Sequence, residues 1–365
     1  MDSDSNRKIR YAVIGAGSIA QMAVLPAFAH AENSELVAVI SGDAEKREEL
    51  GKKYELELCG DYADLEKILA SGNIDALYVA TPNALHKEHV LRAAAARVNV
   101  LCEKPLATTV ADCEEIARAC EKARVLLMVA YRLHFEEATL RALELVKSGK
   151  IGDPRVFESV FGHVVRPGDI RERHDLGGGA SLDLGVYCVN AARNLFRDEP
   201  VLAFALAQKH EGVDETTTAI LQFPRGRVAH FTVSNAVAGV SSYRVVGTDG
   251  DLRVEPGYSY NEGLEHYLTI AGNTLHQAFG RRDQFAPELE YFSRCIMEGH
   301  PPEPSVEEAI CDLRVIEAIL QSAETGKPIP LAPRQRSQRP SLEQESKRPA
   351  VAKQKPINAP SPSLK

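Results

Sequence analysis

Up to about residue 130, short apolar runs alternate with longer segments in which apolar residues recur at helical spacing. The runs have the length of buried strands, and the segments between them have the length of helices. This alternation predicts a doubly wound, mostly parallel sheet whose ligand crevice lies at the carboxyl ends of its strands. The predicted strands are 9–14, 36–40, 76–80, 98–102 and 126–130, and the predicted helices are 44–54, 62–70, 86–96 and 110–123.

After a predicted helix at 136–148, the pattern changes to β-branched runs of alternating polarity separated by short turns. It predicts an α+β domain with a largely antiparallel sheet, one face of which is open and needs a cover or a partner. Three glycines lead into a helix within 177–193, and helices at 286–298 and 306–325 are expected to return to the first domain. The predicted strands are 155–163, 203–208, 216–223, 228–234, 243–247 and 252–255.

These patterns divide the 365 residues into two domains, 1–131 and 132–330, followed by a tail at 334–365. The tail holds eight Lys or Arg and two Glu, a net charge of +6, so the formal charge of −8 leaves −14 on residues 1–333. Because the tail has few large apolar side chains, we expect it to be disordered. It could instead contact nucleic acid or an acidic surface, but the acidic body argues against nucleic acid as a partner.

The seven cysteines are scattered and never spaced as C-x-x-C, which predicts reduced thiols and neither a disulfide framework nor a metal site. The first ten residues are polar and charged, and no apolar run approaches the roughly 20 residues of a membrane span. We therefore expect a cytoplasmic protein that does not enter a membrane.

The first predicted strand runs directly into the glycine-rich turn GAGSIA, residues 15–20. Between a strand and a helix, this spacing suits the pyrophosphate of a dinucleotide: Gly15 permits the turn, Gly17 leaves room for the phosphates, and Ala20 allows close packing. A glycine-rich turn without a ligand is the alternative.

The end of the second predicted strand indicates which dinucleotide is preferred. An NAD site usually has an acidic side chain there to bind the ribose 2′-hydroxyl, whereas this chain has Ser41 and Gly42. The cations Lys46 and Arg47 follow and could meet a 2′-phosphate, so the segment favours NADP over NAD. Asp43 is either a ribose ligand or the N-cap of the next helix.

Three residues could carry acid–base chemistry. Lys104 precedes Pro105, which holds it in an extended conformation aimed at the crevice, where it could hydrogen-bond a substrate hydroxyl. Asp183 and Tyr187 are four residues apart on one helical face, and a lysine ammonium beside a tyrosine favours the phenolate. Asp183 would then orient the substrate or hold the lysine. A surface lysine, a surface aspartate and a core tyrosine are the alternatives. Glu103 is either an ion-pair partner of Lys104 or a ribose ligand.

Taken together, several motifs resemble those of the glucose-fructose oxidoreductase, inositol dehydrogenase and MocA family, and most closely its glucose-fructose oxidoreductase branch. The resemblance covers about 10–330. The motifs are GAGSIA at 15–20, TPNALH at 81–86, CEKPLA at 102–107, YRLHFE at 131–136, GGGASLDLGVYCVNAARNLF at 177–196 and DQFAPELEYFSRCI at 283–296.

The resemblance implies an NADP-dependent oxidoreductase that transfers a hydride between nicotinamide and a carbon of a sugar or polyol. It implies Lys104, Asp183 and Tyr187 as the catalytic set, and a homodimer or homotetramer formed through the open sheet. A catalytically silent NADP-binding sensor or scaffold is the alternative. The residues implied to bind NADP are Gly15, Gly17, Ser18, Ile19, Ser41, Gly42, Lys46, Tyr62, Pro82, Asn83, His86, Glu103, Arg132 and Arg171.

The periplasmic enzyme of that branch carries an export signal and a proline-rich arm that encloses its cofactor. We find neither in this sequence, and therefore expect an enzyme that exchanges NADP freely.

Overall fold

The computed structural model describes residues 7–334, 336 and 338–363. Its first domain contains a sheet built from β1 (Ile9–Ile14), β2 (Ser34–Ile40), β3 (Leu58–Gly60), β4 (Ala76–Val79), β5 (Asn99–Glu103) and β6 (Leu127–Ala130). The strands lie in the order β3-β2-β1-β4-β5-β6 and all pair in parallel. The predicted doubly wound fold class is confirmed. The pattern missed β3, because three residues are too few to show a period.

Both faces of this sheet are buried. In β1, Ala12 and Ile14 join one apolar cluster, while Tyr11 and Val13 join another on the opposite face. A strand covered on both sides is apolar at nearly every position, which explains the continuous apolar runs of the sequence. The helices of the domain are α1 (Leu25–Ala27), which continues a π-helical turn at Ala20–Val24, α2 (Ala44–Lys53), α3 (Leu65–Leu69), α4 (His86–Ala95) and α5 (Val110–Ala123).

The second domain has a nine-stranded sheet. It contains β7 (Pro154–Val164), β8 (Leu202–His210), β9 (Val213–Gln222), β10 (Val228–Ser234), β11 (Ala236–Gly247), β12 (Gly250–Val254), β13 (Glu265–Ile270), β14 (Asn273–Ala278) and β16 (Ile329–Pro330), while β15 (Arg282–Asp283) lies outside it. Every pair is antiparallel except β7 with β10. The hairpin of β13 and β14 was not predicted, because β14 is exposed along its whole length and has no apolar alternation.

Four longer helices complete the body of the molecule: α6 (Glu137–Lys147), α7 (Val186–Phe196), α8 (Ala286–Glu298) and α9 (Val306–Thr325). A π-helical turn, Ser181–Gly185, precedes α7. The helix α8 packs on the first sheet, where the Tyr11 hydroxyl lies 2.9 Å from Ser293 Oγ. The fully buried Arg193 joins α7 to α9 by hydrogen bonds to Glu308 and Asp312.

Residues 338–363 lie against the body of the protein, which differs from the disordered tail that composition predicted. The short strand β17 (Arg348–Pro349) pairs with β15. Arg348 makes a two-pronged contact with Glu290, at 2.6 and 3.1 Å, and Arg339 donates to Glu199 at 3.0 Å. The prediction rested on the composition of the tail alone and did not take into account the carboxylates of the acidic body, which neutralise the tail's cations.

Three buried histidines make stability dependent on pH. Burial lowers the pKa of His89, His134 and His266 to about 4, from an ordinary value of 6.5. Between pH 6.5 and 4 the unfolded chain therefore binds more protons than the folded one, and each histidine lowers stability by about 1.4 kcal/mol for every unit by which the pH falls.

We expect His266→Leu to reduce the slope of the unfolding free energy against pH by up to about 1.4 kcal/mol per pH unit, the contribution of one proton. His266 is 2% exposed, and its ring centroid lies 4.6 Å from that of Phe279, in an apolar site that leucine can occupy. Urea unfolding of both proteins between pH 4.5 and 7 measures the slope. Equal slopes would show that His266 does not titrate differently in the folded and unfolded states.

Candidate active site

A cavity of about 780 Å³ lies between the two domains, at the carboxyl ends of the first domain's strands. Its volume is in the range of small-molecule and cofactor sites. Gly42 does not line this cavity, and the ring of Tyr62 lies 3.2 Å from the position that a Cβ of this glycine would take. The other predicted site residues line the cavity: Gly15, Gly17, Ser18, Ile19, Ser41, Lys46, Tyr62, Pro82, Asn83, His86, Glu103, Lys104, Arg132, Arg171, Asp183 and Tyr187.

The glycine-rich turn has the shape that a dinucleotide needs. Gly15 has a φ of +95°, and a Cβ there would lie 2.5 Å from the carbonyl oxygen of Ala80. A Cβ at Gly17 would meet no atom within 4 Å, so this side of the turn faces open space. The amide of Gln21 donates to the carbonyl of Gly17 at 3.1 Å, so helical structure begins at the turn. Open space beside a helix N-terminus fits an anionic pyrophosphate.

The structure decides between the two roles left open for Asp43. Its carboxylate accepts a hydrogen bond from the Lys46 amide at 3.1 Å and caps α2. Arg47 also turns away from the cavity, donating to the Ser41 carbonyl at 2.6 Å and to Asp61 at 3.2 Å. Ser41 and Lys46 remain at the cavity wall, a hydroxyl and a cation of the kind that binds a phosphate.

Lys104, Asp183 and Tyr187 come together, although Lys104 lies on a different domain from the other two. The Lys104 ammonium is 4.4 Å from the centroid of the Tyr187 ring, donates to the Asp183 carbonyl at 2.9 Å and lies 3.7 Å from its carboxylate. Arg171 donates to the same carboxylate at 2.6 Å. Burial alone would raise the pKa of Asp183, but Arg171 and Lys104 outweigh it and hold that pKa well below its usual value.

A second cation contacts the tyrosine. Arg132, only 5% exposed, donates to the Tyr187 hydroxyl at 3.2 Å and to the Tyr258 carbonyl at 2.6 Å. It also donates to the side chain of Gln284, which places this arginine firmly beneath the tyrosine. Two cations beside one phenol stabilise any oxyanion that develops next to it.

Glu103 and His86 bond to protein groups in the wall of the cavity. Glu103 is not the ion-pair partner of Lys104, which is Asp183; its carboxylate accepts a hydrogen bond from Tyr78 at 2.9 Å, and burial raises its pKa. The ring nitrogens of His86 both lie 2.9 Å from backbone carbonyls, those of Thr81 and Pro105. His86 thus joins two loops and has no free nitrogen to offer a ligand.

The sequence missed the site residues that β7 and the loop after β12 supply. Phe161 and His163 point into the cavity from β7, and Tyr258 and Tyr260 reach it from the loop after β12. No partner for His163 Nε2 is found within the described residues, and burial lowers the pKa of its ring. Residues 161 and 163 alternate along a predicted strand, which could have indicated that they share one face. The loop after β12 folds back over the other domain, and its sequence carries no comparable signal.

The first domain and much of the second match models of known protein families. Residues 9–131 match the GFO/IDH/MocA oxidoreductase family, with its NAD-binding Rossmann fold, and residues 139–253 match the C-terminal domain of the same family. The chain belongs to the GFO/IDH/MocA family. The resemblance read from the motifs is confirmed.

Several similar proteins match this chain along nearly their whole length. A D-xylose 1-dehydrogenase (NADP(+)) of Haloferax volcanii is 34% identical over 327 residues, which cover 88% of this chain and 99% of the relative. The crystal structure of an aldose-aldose oxidoreductase from Caulobacter crescentus, complexed with glycerol, has a TM-score of 0.85 and 34% identity, covering 89% of this chain and 100% of that one. A 3-ketoreductase from Actinomadura kijaniata, solved with NADP and TDP-benzene, has a TM-score of 0.81 and 26% identity, covering 87% and 98%.

The described part of the chain contains neither a membrane-spanning helix nor a metal-binding cluster. No helix there is both long and apolar enough to cross a membrane. No group of three or more His, Cys, Asp or Glu side chains in the same residues is arranged to hold a metal ion.

The two glycines of the turn should respond differently to alanine. In Gly15→Ala the new methyl meets the Ala80 carbonyl at a backbone conformation that disfavours side chains, so we expect the protein to lose about 1–3 kcal/mol of stability. In Gly17→Ala the methyl enters open space, so the melting temperature should stay near that of the unchanged protein while NADPH binds at least tenfold more weakly. Thermal melts and NADPH titrations separate the two effects; unchanged affinity in Gly17→Ala would contradict the assigned role of the turn.

Proposed function

We propose that this protein is an NADP-dependent oxidoreductase that transfers a hydride between nicotinamide and a carbon of a sugar or polyol. One observation carries the proposal: Lys104, Asp183 and Tyr187 meet in the cavity that also contains the glycine-rich turn and the pair Ser41 and Lys46. A dinucleotide held by the turn would extend along this cavity toward the three residues.

The residues present fit NADP. The amides around Gly15 and Gly17 would hold the pyrophosphate, and Ser41 and Lys46 the 2′-phosphate, while the carboxylate of Asp43 caps α2. When bound, the nicotinamide supplies the carbon that accepts or donates the hydride. The Haloferax dehydrogenase is named as an NADP(+) enzyme, and the Actinomadura ketoreductase was solved in complex with NADP.

The protein's own residues would move the proton. The Tyr187 hydroxyl would take the proton from a substrate hydroxyl during oxidation and return it during reduction. Lys104 and Arg132, which contact the ring and the hydroxyl of Tyr187, would stabilise the negative charge that develops on the tyrosine and on the substrate oxygen. Asp183, kept ionised by Arg171, would hold Lys104 in place and accept a hydrogen bond from a second substrate hydroxyl.

A sugar or polyol suits the mixed surface of the cavity. Apolar ring faces come from Phe161 and Tyr260, and polar groups come from His163, Asn261 and Glu262. A substrate with several hydroxyl groups on a compact carbon skeleton can use both kinds of surface. The names of the relatives, which include a xylose dehydrogenase and an aldose-aldose oxidoreductase, support this substrate class.

A catalytically silent NADP sensor has less support. Binding a dinucleotide does not need a lysine and an arginine against one tyrosine in the cavity, whereas proton transfer is helped by both cations.

We also propose that the protein forms a homodimer or homotetramer through the open sheet. Leu206, Ile220 and Val160 are 65%, 45% and 42% exposed, and lie on the sheet's open face. Light scattering of the purified protein measures the assembly, and a monomer at micromolar concentration would contradict the proposed oligomer.

We propose a reducing compartment such as the cytoplasm, because all seven cysteines are free thiols.

The first experiment is to purify the protein without added nucleotide, record absorbance in the reduced-nicotinamide band, and titrate NADPH and NADH by fluorescence. We expect NADPH to bind more tightly than NADH, and a panel of aldoses and keto-sugars to then show NADP-linked turnover. Binding of neither nucleotide would refute the proposal; binding without turnover on any sugar or polyol would favour the sensor.

A further inference from the structure

The last described residues of the chain lie at the mouth of the cavity, and we call residues 351–363 the C-terminal strap. On the first domain, the backbone of Ile357 pairs with the side chain of Gln21: the Ile357 amide donates to Oε1 at 2.7 Å, and Nε2 donates to the Ile357 carbonyl at 2.9 Å. The Asn358 side chain donates to Glu45 at 2.7 Å. These contacts attach the strap beside the glycine-rich turn and the start of α2.

The other end of the strap is attached to the second domain. The Arg166 amide donates to the Pro362 carbonyl at 2.8 Å, and Ser363 forms an antiparallel bridge with Val165. At this second attachment, Ser361, Pro362 and Ser363 line the same cavity as the catalytic set. The strap therefore spans the cleft between the domains.

The composition of the strap suits a wall over an anionic ligand. Pro356, Pro360 and Pro362 restrict its backbone, which lowers the entropy lost on ordering. It contains Lys353 and Lys355 and no acidic residue, so it adds no charge that would repel phosphates. The cavity measures about 780 Å³ with the strap in place, so the strap borders the space rather than filling it.

We propose that the strap forms the outer wall of the NADP site, so that the cofactor lies beneath it and leaves only when the strap lifts. The proposal rests on the proposed function, since it takes NADP as the ligand. The strap's attachments at Gln21 and Glu45 place it over the pyrophosphate and 2′-phosphate parts of the site. The protein then retains NADP between turnovers, which differs from the free exchange expected from the sequence.

The test compares NADPH release from the full-length protein and from Ile357→Pro/Asn358→Asp. Proline removes the amide that donates to Gln21, and aspartate places a carboxylate against Glu45. We expect release to become at least tenfold faster, and the Kd for NADPH to rise by a similar factor. The control is Lys353→Pro, which makes the same kind of change at an amide for which the described residues offer no partner, and which should stay within twofold.

Release is followed by NADPH fluorescence after mixing with excess NADP, and the Kd by equilibrium titration. Release that stays within twofold of the unchanged protein, in both the double variant and Asn358→Asp alone, would overturn the proposal. A lower Kd in the double variant would also overturn it, because the strap would then obstruct the site. These results all require that the unchanged protein binds NADPH; if it does not, the proposed function itself fails.

Discussion

Replacing Tyr187 by phenylalanine is expected to lower kcat for sugar oxidation by at least about two orders of magnitude, while NADPH binding stays nearly unchanged. In the proposed mechanism the hydroxyl of Tyr187 exchanges a proton with the substrate, and a positioned acid or base contributes about 10²–10⁴-fold. The ring would remain, so its contacts with Lys104 and with Phe161 would persist. The variant therefore removes one hydroxyl and little else.

Tyr258→Phe is the matched control. Its ring centroid lies 5.9 Å from that of Tyr187, but its hydroxyl lies 2.8 Å from Ser159 Oγ, away from the reacting position. We expect kcat to change less than about fivefold in this variant. Steady-state kinetics and NADPH titration on both proteins provide the comparison. If Tyr187→Phe retains full turnover, Tyr187 has no part in proton transfer.

The second large effect is expected at the 2′-phosphate. Ser41→Asp should raise the Kd for NADPH by about 100-fold and leave the Kd for NADH unchanged or lower. Ser41 is 4% exposed and lies at the cavity wall with Lys46, so a carboxylate there would repel the 2′-phosphate and could accept a hydrogen bond from a ribose 2′-hydroxyl. A factor of 100 corresponds to about 2.7 kcal/mol.

The control for this change is Ser41→Ala, which removes the hydroxyl without adding charge and should weaken NADPH binding by less than tenfold. The ratio of the two Kd values, measured by fluorescence titration for each variant, is the deciding quantity. If Ser41→Asp keeps the NADPH-to-NADH ratio of the unchanged protein, the adenosine ribose binds away from this strand end.

The site as the structure shows it was only partly predictable. Apart from Gly42, the residues named from the motifs line one cavity, and those of the first domain do so because the carboxyl ends of parallel strands meet at one edge of a sheet. Their pairings were only partly foreseeable: the sequence left both Asp183 and Glu103 open as partners of Lys104, and the contact of Arg132 with Tyr187 was not predicted. Such choices depend on distances between side chains of different domains, which spacing along the chain does not encode.

The sequence by itself determined the alternation of strands and helices, the glycine-rich turn and the absence of an acid at residue 41, because each depends on neighbouring residues. Tertiary structure alone decided where residues 338–363 lie. Composition predicts that such a segment gains too little from its own contacts to become ordered. It is ordered against carboxylates such as Glu290 and Glu45 and against the amide of Gln21, which come from distant parts of the chain. Contacts between segments so far apart are decided by the whole fold, and with them the position of the strap at the cavity.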